Sequence, residues 1–167
     1  MKHGNVEVIC GPGRGKTTLA VGKGIVALTR QKRVIMIQFL KGSANQEGLE
    51  ILRNLEPNLK IFRFEKSDTV FAELSEEQKA EELLNIRNGF NFAKKVVATG
   101  ECDMLILDEV LGIMDQNIIQ AHEFEKLLDA RRDDTSLVMT GTVLPETLRP
   151  YVDFISRIEY IEVDKQE

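Results

Sequence analysis

Short apolar runs alternate with longer amphipathic segments along the chain. Five runs of four to six residues are rich in aliphatic and β-branched side chains and are bounded by polar or glycine positions, which is typical of buried strands. These runs occupy residues 6–10, 34–39, 59–64, 104–107 and 136–139. A sixth segment, 154–163, alternates apolar and polar positions less regularly and is consistent with an edge strand.

Helical periodicity fills the intervals between these runs. The segments with this pattern are 17–30, 75–99 and 116–129. Ser75 and Gln78 have the spacing of a capping box at the start of the longest one, and Gly100 follows its end as a stop signal. The alternation predicts an α/β fold around a mostly parallel central sheet of five to six strands. Because no repeat or linker interrupts it, we expect a single domain over residues 1–167.

A glycine-rich loop follows the first run and leads into a helix, at the sheet edge where ligands bind in such folds. Glycines let the backbone turn its N–H groups inward, and these groups form a phosphate cradle with the helix N-terminus. Lys16 adds a positive charge, and the Thr17 hydroxyl can bind Mg²⁺. The strict pattern has a glycine where this chain has Cys10, so the first glycine is displaced by one residue. The predicted nucleotide-binding residues are Gly11, Pro12, Gly13, Arg14, Gly15, Lys16, Thr17 and Thr18.

Two acidic residues, Asp108 and Glu109, follow the fourth apolar run. In phosphate-loop proteins an aspartate at this place holds Mg²⁺, directly or through water, beside the loop threonine. The second acid is either a base that activates water or a further metal partner. Together with the loop, the pair indicates a Mg–nucleoside triphosphate site, but it does not identify the reaction.

The composition of the chain excludes several classes of protein. Acidic residues number 27 and basic residues 22, and the net charge of −5 argues against a protein that coats nucleic acid. Cys10 and Cys102 are too few for a disulfide framework and lack metal-ligand spacing. No apolar run approaches the roughly 20 residues that span a bilayer, and no cleavable signal is visible. The expected setting is therefore a reducing cytoplasm, with no membrane partner.

Four segments, taken in order, carry a family resemblance. The loop 11–18 is followed by Gln38-Phe39-Leu40-Lys41-Gly42 after the second strand, by 107–109 at the end of the fourth, and by Thr140-Gly141 at the end of the fifth. This order resembles the ATP:corrinoid (cob(I)alamin) adenosyltransferases of the phosphate-loop type, whose loop also lacks a glycine at the position of Cys10. The resemblance covers residues 6–158 and implies a three-layer phosphate-loop (RecA-like) fold.

The resemblance also implies a reaction. The family transfers the 5′-deoxyadenosyl group of ATP to a Co(I) corrinoid, such as cob(I)alamin or cob(I)yrinic acid a,c-diamide, and releases triphosphate. The cobalt of the corrinoid substrate is the nucleophile and attacks C5′, so catalysis would consist of positioning and electrostatic stabilisation. By resemblance, Lys16 neutralises leaving-group charge, and Thr17 with Glu109 and Asp108 holds Mg²⁺; Lys16 and Glu109 are the implied catalytic residues. The implied partners are a second copy in a homodimer and an electron-donating flavoprotein.

Three phenylalanines lie in the region where the family contacts the corrinoid: Phe62, Phe64 and Phe71. Packing in the core is the alternative role of Phe62 and Phe64, because aromatic residues dominate cores. Phe71 lies between a polar stretch and Ser75 and is the better candidate for a corrinoid contact.

The chain departs from the family at three places. Thr142 replaces an arginine after the fifth strand, Val26 replaces an arginine of the first helix, and the segment 158–163 replaces the usual Lys-His tail. Two hypotheses therefore stay open beside the adenosyltransferase. One is a phosphate-loop ATPase in which Glu109 orients water, and the other, suggested by these departures, is a nucleotide- or corrinoid-binding module with impaired catalysis.

Overall fold

The computed structural model describes residues 3–40, 49–67, 69 and 71–165. Within these ranges the strands are β1 Val6–Cys10, β2 Val34–Gln38, β3 Leu59–Arg63, β4 Met104–Asp108, β5 Ser136–Thr140 and β6 Phe154–Arg157. They form one sheet in the order β3-β2-β4-β5-β1-β6, and all neighbouring pairs are parallel. The predicted α/β class, the parallel sheet and the edge position of the sixth strand are confirmed. The bounds predicted for that strand, 154–163, are too long, since β6 ends at Arg157 and residues 158–163 are not in a strand.

Helices join the strands on both faces of the sheet. The α-helices are α1 Lys16–Thr29, α2 Glu76–Thr99, α3 Val110–Asp115 and α4 Ala121–Ala130, and the 3₁₀ helices are Glu50–Leu55, Phe71–Glu73 and Glu146–Tyr151. At the start of α2, Ser75 and Gln78 form the predicted capping box, and Gly100 ends the helix at φ 67°. In the described part of the chain, no helix is both long enough and apolar enough to cross a bilayer.

Alternate residues of the strands β1 to β5 enter two separate cores, because successive side chains point to opposite faces of a sheet. The four residues of β6 are exposed. One core lies between the sheet and α2, α3 and α4; it includes Val8, Ile37, Phe90, Leu107 and Phe124. The other lies beneath α1 and the 3₁₀ helix Glu50–Leu55; it includes Ile9, Ala20, Met36, Ile106 and Val138. The result is a three-layer molecule with the carboxyl ends of all six parallel strands along one edge.

The helix predicted over 116–129 is wrong at its start. The α4 helix begins only at Ala121, where Gln120 and Glu123 form a capping box, and the separate short helix α3 precedes it. Ile118 and Ile119 are buried in the connection between α3 and α4 and not on a helix face. Their spacing to the apolar residues of α4 matches a helical pattern, which is why the sequence predicted a helix there. Asn117 has φ 57°, a left-handed conformation that interrupts the helical path.

Candidate functional site

The glycine-rich loop connects β1 to α1 at the carboxyl edge of the sheet. Gly11 and Gly15 have φ of 104° and 100°, in the left-handed region that glycine adopts without a steric cost. Gly13 is required for a different reason, since a Cβ there would lie 2.7 Å from Ile158 Cγ2. The Gly13 N–H donates to the Ile158 carbonyl, and the Gly11 N–H donates to the Thr142 carbonyl. The loop is therefore fixed from outside by the segments that follow β5 and β6.

The first turn of α1 is arranged to receive an anion. Within the described residues no side chain caps this helix, so its first N–H groups point towards the loop without a capping partner. The Lys16 ammonium lies across the loop and donates to the carbonyl oxygens of Gly11 and Gly13, both at 2.8 Å. Two of the three ammonium donors thus hold the charge in place above the cradle.

Asp108 is the centre of the polar network at the sheet edge, and it is fully buried. The Thr17 hydroxyl donates to its carboxylate, 2.9 Å from Oδ1 and 3.1 Å from Oδ2. The Thr140 hydroxyl donates to Oδ1 at 2.7 Å, and the Gln38 amide donates to Oδ2 at 3.3 Å. The structure thus brings together Thr17 and Asp108, which lie 91 residues apart in the chain.

Glu109 follows with a left-handed backbone, φ 61° and ψ 19°. For a residue with a Cβ this conformation costs about 1 kcal/mol and is typical of functional sites. The Glu109 N–H donates to the Thr140 hydroxyl at 2.8 Å, which holds the backbone in this conformation. The same hydroxyl therefore orients the side chain of Asp108 and the main chain of Glu109.

Gln38 and Thr140 are supporting residues that the sequence predicted only as parts of motifs. They are the last residues of β2 and β5, and each contacts the carboxylate at the end of β4. The available signal was a polar residue at the carboxyl end of an otherwise apolar strand. Two further residues of the second motif, Lys41 and Gly42, lie outside the described residues.

The oxygen atoms at this edge fit a magnesium ion bound together with a nucleotide. Mg²⁺ in nucleotide sites takes one or two protein oxygens and completes its shell with phosphate oxygens and water. The Thr17 hydroxyl and the Asp108 carboxylate supply such oxygens. The described residues contain no cluster of three or more acidic, histidine or cysteine side chains that would form a self-sufficient metal cage. The donor set therefore suits a metal that arrives with phosphate.

The three phenylalanines occupy two different environments. Phe62 and Phe64 pack against Phe92, with ring centroids 4.9 and 5.6 Å apart. Phe71 instead borders a cavity of about 140 Å³ beyond the end of β3. Glu82 also lines this cavity, and its buried carboxylate accepts the N–H groups of Lys66 and Ser67 at 3.2 and 3.1 Å.

Two of the positions that depart from the family pattern differ in their distance from the loop. Thr142 is next to it, since the Thr142 carbonyl accepts the Gly11 N–H at 2.9 Å. Val26 lies ten residues after Lys16 on α1, about 15 Å along the helix axis, and is exposed. Of these two departures, the one at Thr142 is in contact with the loop.

Comparison with known proteins gives a consistent result. Residues 2–166 match the family model described as ATP:corrinoid adenosyltransferase BtuR/CobO/CobP. The chain is 26% identical over 163 residues to a corrinoid adenosyltransferase of Escherichia coli K12, covering 96% of this chain and 79% of that protein. It is 25% identical, with the same coverage, to the corrinoid adenosyltransferase CobA of Salmonella typhimurium. An uncharacterized protein of Nostoc sp. is 26% identical over 145 residues, which is 81% of this chain and 38% of the Nostoc protein.

Proposed function

The chain belongs to the ATP:corrinoid adenosyltransferase family, and we propose that it transfers the 5′-deoxyadenosyl group of ATP to a Co(I) corrinoid with release of triphosphate. The observation that carries this proposal is the contact between Thr17 and Asp108, beneath an anion cradle to which Lys16 is fixed. This arrangement suits the polyphosphate end of a nucleotide. The family match and the names of the two enterobacterial relatives support the corrinoid as acceptor.

The loop would bind the triphosphate chain of ATP. Its supports are the uncapped N–H groups of α1 and the ammonium of Lys16, both of which stabilise negative charge. Negative charge grows on the triphosphate as the bond to C5′ breaks, so these groups act most strongly in the transition state. Arg14, exposed beside them, adds a second positive charge to the rim of the loop. In this proposal Lys16 is a catalytic residue because it touches the leaving group.

Thr17 and Asp108, with Glu109, would hold Mg²⁺ beside the loop. The ion supplies charge neutralisation for the triphosphate when bound. Gln38 and Thr140 keep the Asp108 carboxylate oriented for this role, at 3.3 and 2.7 Å. The reaction needs no protein base to activate the attacking atom, since the reduced cobalt of the substrate is itself the nucleophile. The contribution of the chain is to position ATP and to stabilise the departing charge.

Phe71 is our candidate for the corrinoid contact, because it borders the cavity of about 140 Å³ beyond the end of β3. Phe62 and Phe64 pack on Phe92 instead, so we assign them a structural role in this part of the chain. The resemblance further leads us to propose a homodimer, an electron-donating flavoprotein as partner, a cytoplasmic setting, and one nucleotide-binding domain over residues 1–167.

An anaerobic assay with reduced corrinoid and Mg-ATP tests the proposal, with formation of the Co–C bond followed by absorbance. We expect product from the wild-type chain and a loss on the order of 100-fold in kcat/KM for Thr17→Val, since the variant lacks an oxygen ligand for the metal. The matched control is Thr29→Val at the far end of the same helix, where the hydroxyl contacts only the Val26 carbonyl among the described residues. Folded protein that binds Mg-ATP but forms no Co–C product contradicts the proposal.

A further inference from the structure

A row of polar side chains crosses the carboxyl edge of the sheet and ends in an arginine. Arg63, the last residue of β3, is in register with Gln38 on β2, and Gln38 is in register with Asp108 on β4. Paired residues of parallel strands point to the same face, so all three point to the face that α1 covers. The partners two residues earlier, Ile61 and Met36, belong to the core beneath α1, which agrees with this orientation.

The register fixes how far Arg63 lies from the site. Two strand spacings separate the Cα atoms of Arg63 and Asp108, about 10 Å. Between them the Gln38 amide donates to the Asp108 carboxylate. Arg63 is therefore the neighbour, on the next strand, of the glutamine that contacts Asp108.

A cavity of about 370 Å³ opens at this end of the row. Its polar lining consists of Gln38, Glu50, Arg53 and Arg63, and its apolar lining consists of Leu49, Ile61 and Phe62. We call it the arginine pocket. Its volume is within the range of small-ligand sites, and among the described residues that line it two carry a guanidinium group and one carries a carboxylate. Gln38 is a wall of this pocket and a partner of Asp108, so the pocket adjoins the candidate nucleotide site.

We propose that the arginine pocket binds anionic oxygens of the triphosphate chain, with Arg63 as the principal contact and Arg53 as the second. A guanidinium presents a planar fork of N–H donors that matches phosphate oxygens and stays charged at any working pH. The triphosphate carries several negative charges, and among the loop residues Lys16 is fixed across the cradle by two carbonyls. Arg63 and Arg53 would add positive charge on the far side of Gln38 from Asp108. This inference rests on the proposed function only in that a nucleotide occupies the loop.

Calorimetric titration with inorganic triphosphate and Mg²⁺ tests the inference without a corrinoid. We expect Arg63→Gln to weaken triphosphate binding about 10- to 100-fold, the value of a charge-assisted hydrogen bond. Arg53 is exposed, and Arg53→Gln should weaken binding about threefold to tenfold. The matched control is Lys60→Gln, which removes one positive charge from an exposed residue of the same strand on the opposite face; its affinity should stay within about twofold of wild type.

Equal affinities for Arg63→Gln, Lys60→Gln and wild type would overturn the inference. Thermal unfolding of each variant checks the fold, and if Arg63→Gln does not fold, Arg53→Gln decides by the same comparison with Lys60→Gln. A parallel titration with the corrinoid alone tests whether the pocket binds the corrinoid instead of triphosphate. If Arg63→Gln weakens only corrinoid binding, the inference is also overturned. A wild-type chain that binds triphosphate through Arg63 but forms no Co–C bond would contradict the proposed function and leave this inference standing.

Discussion

Replacing Thr140 by valine tests the hydrogen-bond network that supports the site. Valine keeps the shape of the side chain and removes only the hydroxyl. In the native chain this buried hydroxyl donates to Asp108 Oδ1 at 2.7 Å and accepts the Glu109 N–H at 2.8 Å. Losing a hydrogen bond to a carboxylate costs about 1.5–3 kcal/mol, and an unpaired buried N–H costs about 1 kcal/mol or more. We therefore expect the free energy of unfolding to fall by about 3 kcal/mol.

Urea unfolding followed by circular dichroism measures this loss. With a slope of about 2 kcal/mol per molar urea, a loss of about 3 kcal/mol lowers the midpoint by about 1.5 M. The matched control is Thr142→Val, two residues along the chain, where the side chain is exposed; its free energy of unfolding should change by less than about 0.5 kcal/mol. A loss below about 1 kcal/mol for Thr140→Val, or equal losses for both variants, would refute the network described here.

Three further predictions concern the rest of the fold. Gly22→Ala on α1 should raise the free energy of unfolding by about 0.5–1 kcal/mol, since a Cβ there meets open space. Gly24→Ala should show no such gain, because its Cβ would lie 3.1 Å from Ile106 Cδ1. Thermal unfolding of the two variants measures the difference. The Gln120 N–H donates to the Glu123 carboxylate and lowers the pKa of that carboxyl. The ionised carboxylate therefore stabilises the folded state above the ordinary carboxyl pKa, and this stabilisation is lost as pH falls through the lowered pKa. Glu123→Gln should therefore be less stable than wild type at neutral pH and equally stable in strong acid; a difference that persists in acid would be inconsistent with this. Burial raises the pKa of the Cys102 thiol to about 12, so alkylation at pH 8, mapped by mass spectrometry, should require unfolding, and rapid labelling of the native chain would argue against it.

The sheet and the turn of the glycine-rich loop into α1 could be predicted from the sequence because both depend on local signals. Buried parallel strands need continuous apolar residues, and the runs 6–10 and 104–107 showed this pattern. The glycine-rich loop and the capping box at Ser75 have fixed spacings that determine their geometry. For these elements neighbouring residues alone specify the structure.

The remaining features depend on contacts between distant parts of the chain. The break between α3 and α4 arises at Asn117, and the apolar residues after it are buried although they are not helical. Arg63, Gln38 and Asp108 lie in one row only because of the strand order and register of the sheet. Neither can be read from the sequence, because the strands of a parallel sheet are joined by long crossover connections. Sequence reasoning therefore found the two acidic residues but not the side chains that orient them.

The identity of the phosphate product tests the central claim most directly, namely that ATP is attacked at C5′ while its phosphate chain stays whole. Phosphorus nuclear magnetic resonance of an anaerobic reaction with Co(I) corrinoid and Mg-ATP should show one inorganic triphosphate for each adenosylated corrinoid formed. Accumulation of ADP and orthophosphate, with the corrinoid unmodified, would contradict the claim and favour an ATPase in which Glu109 orients water.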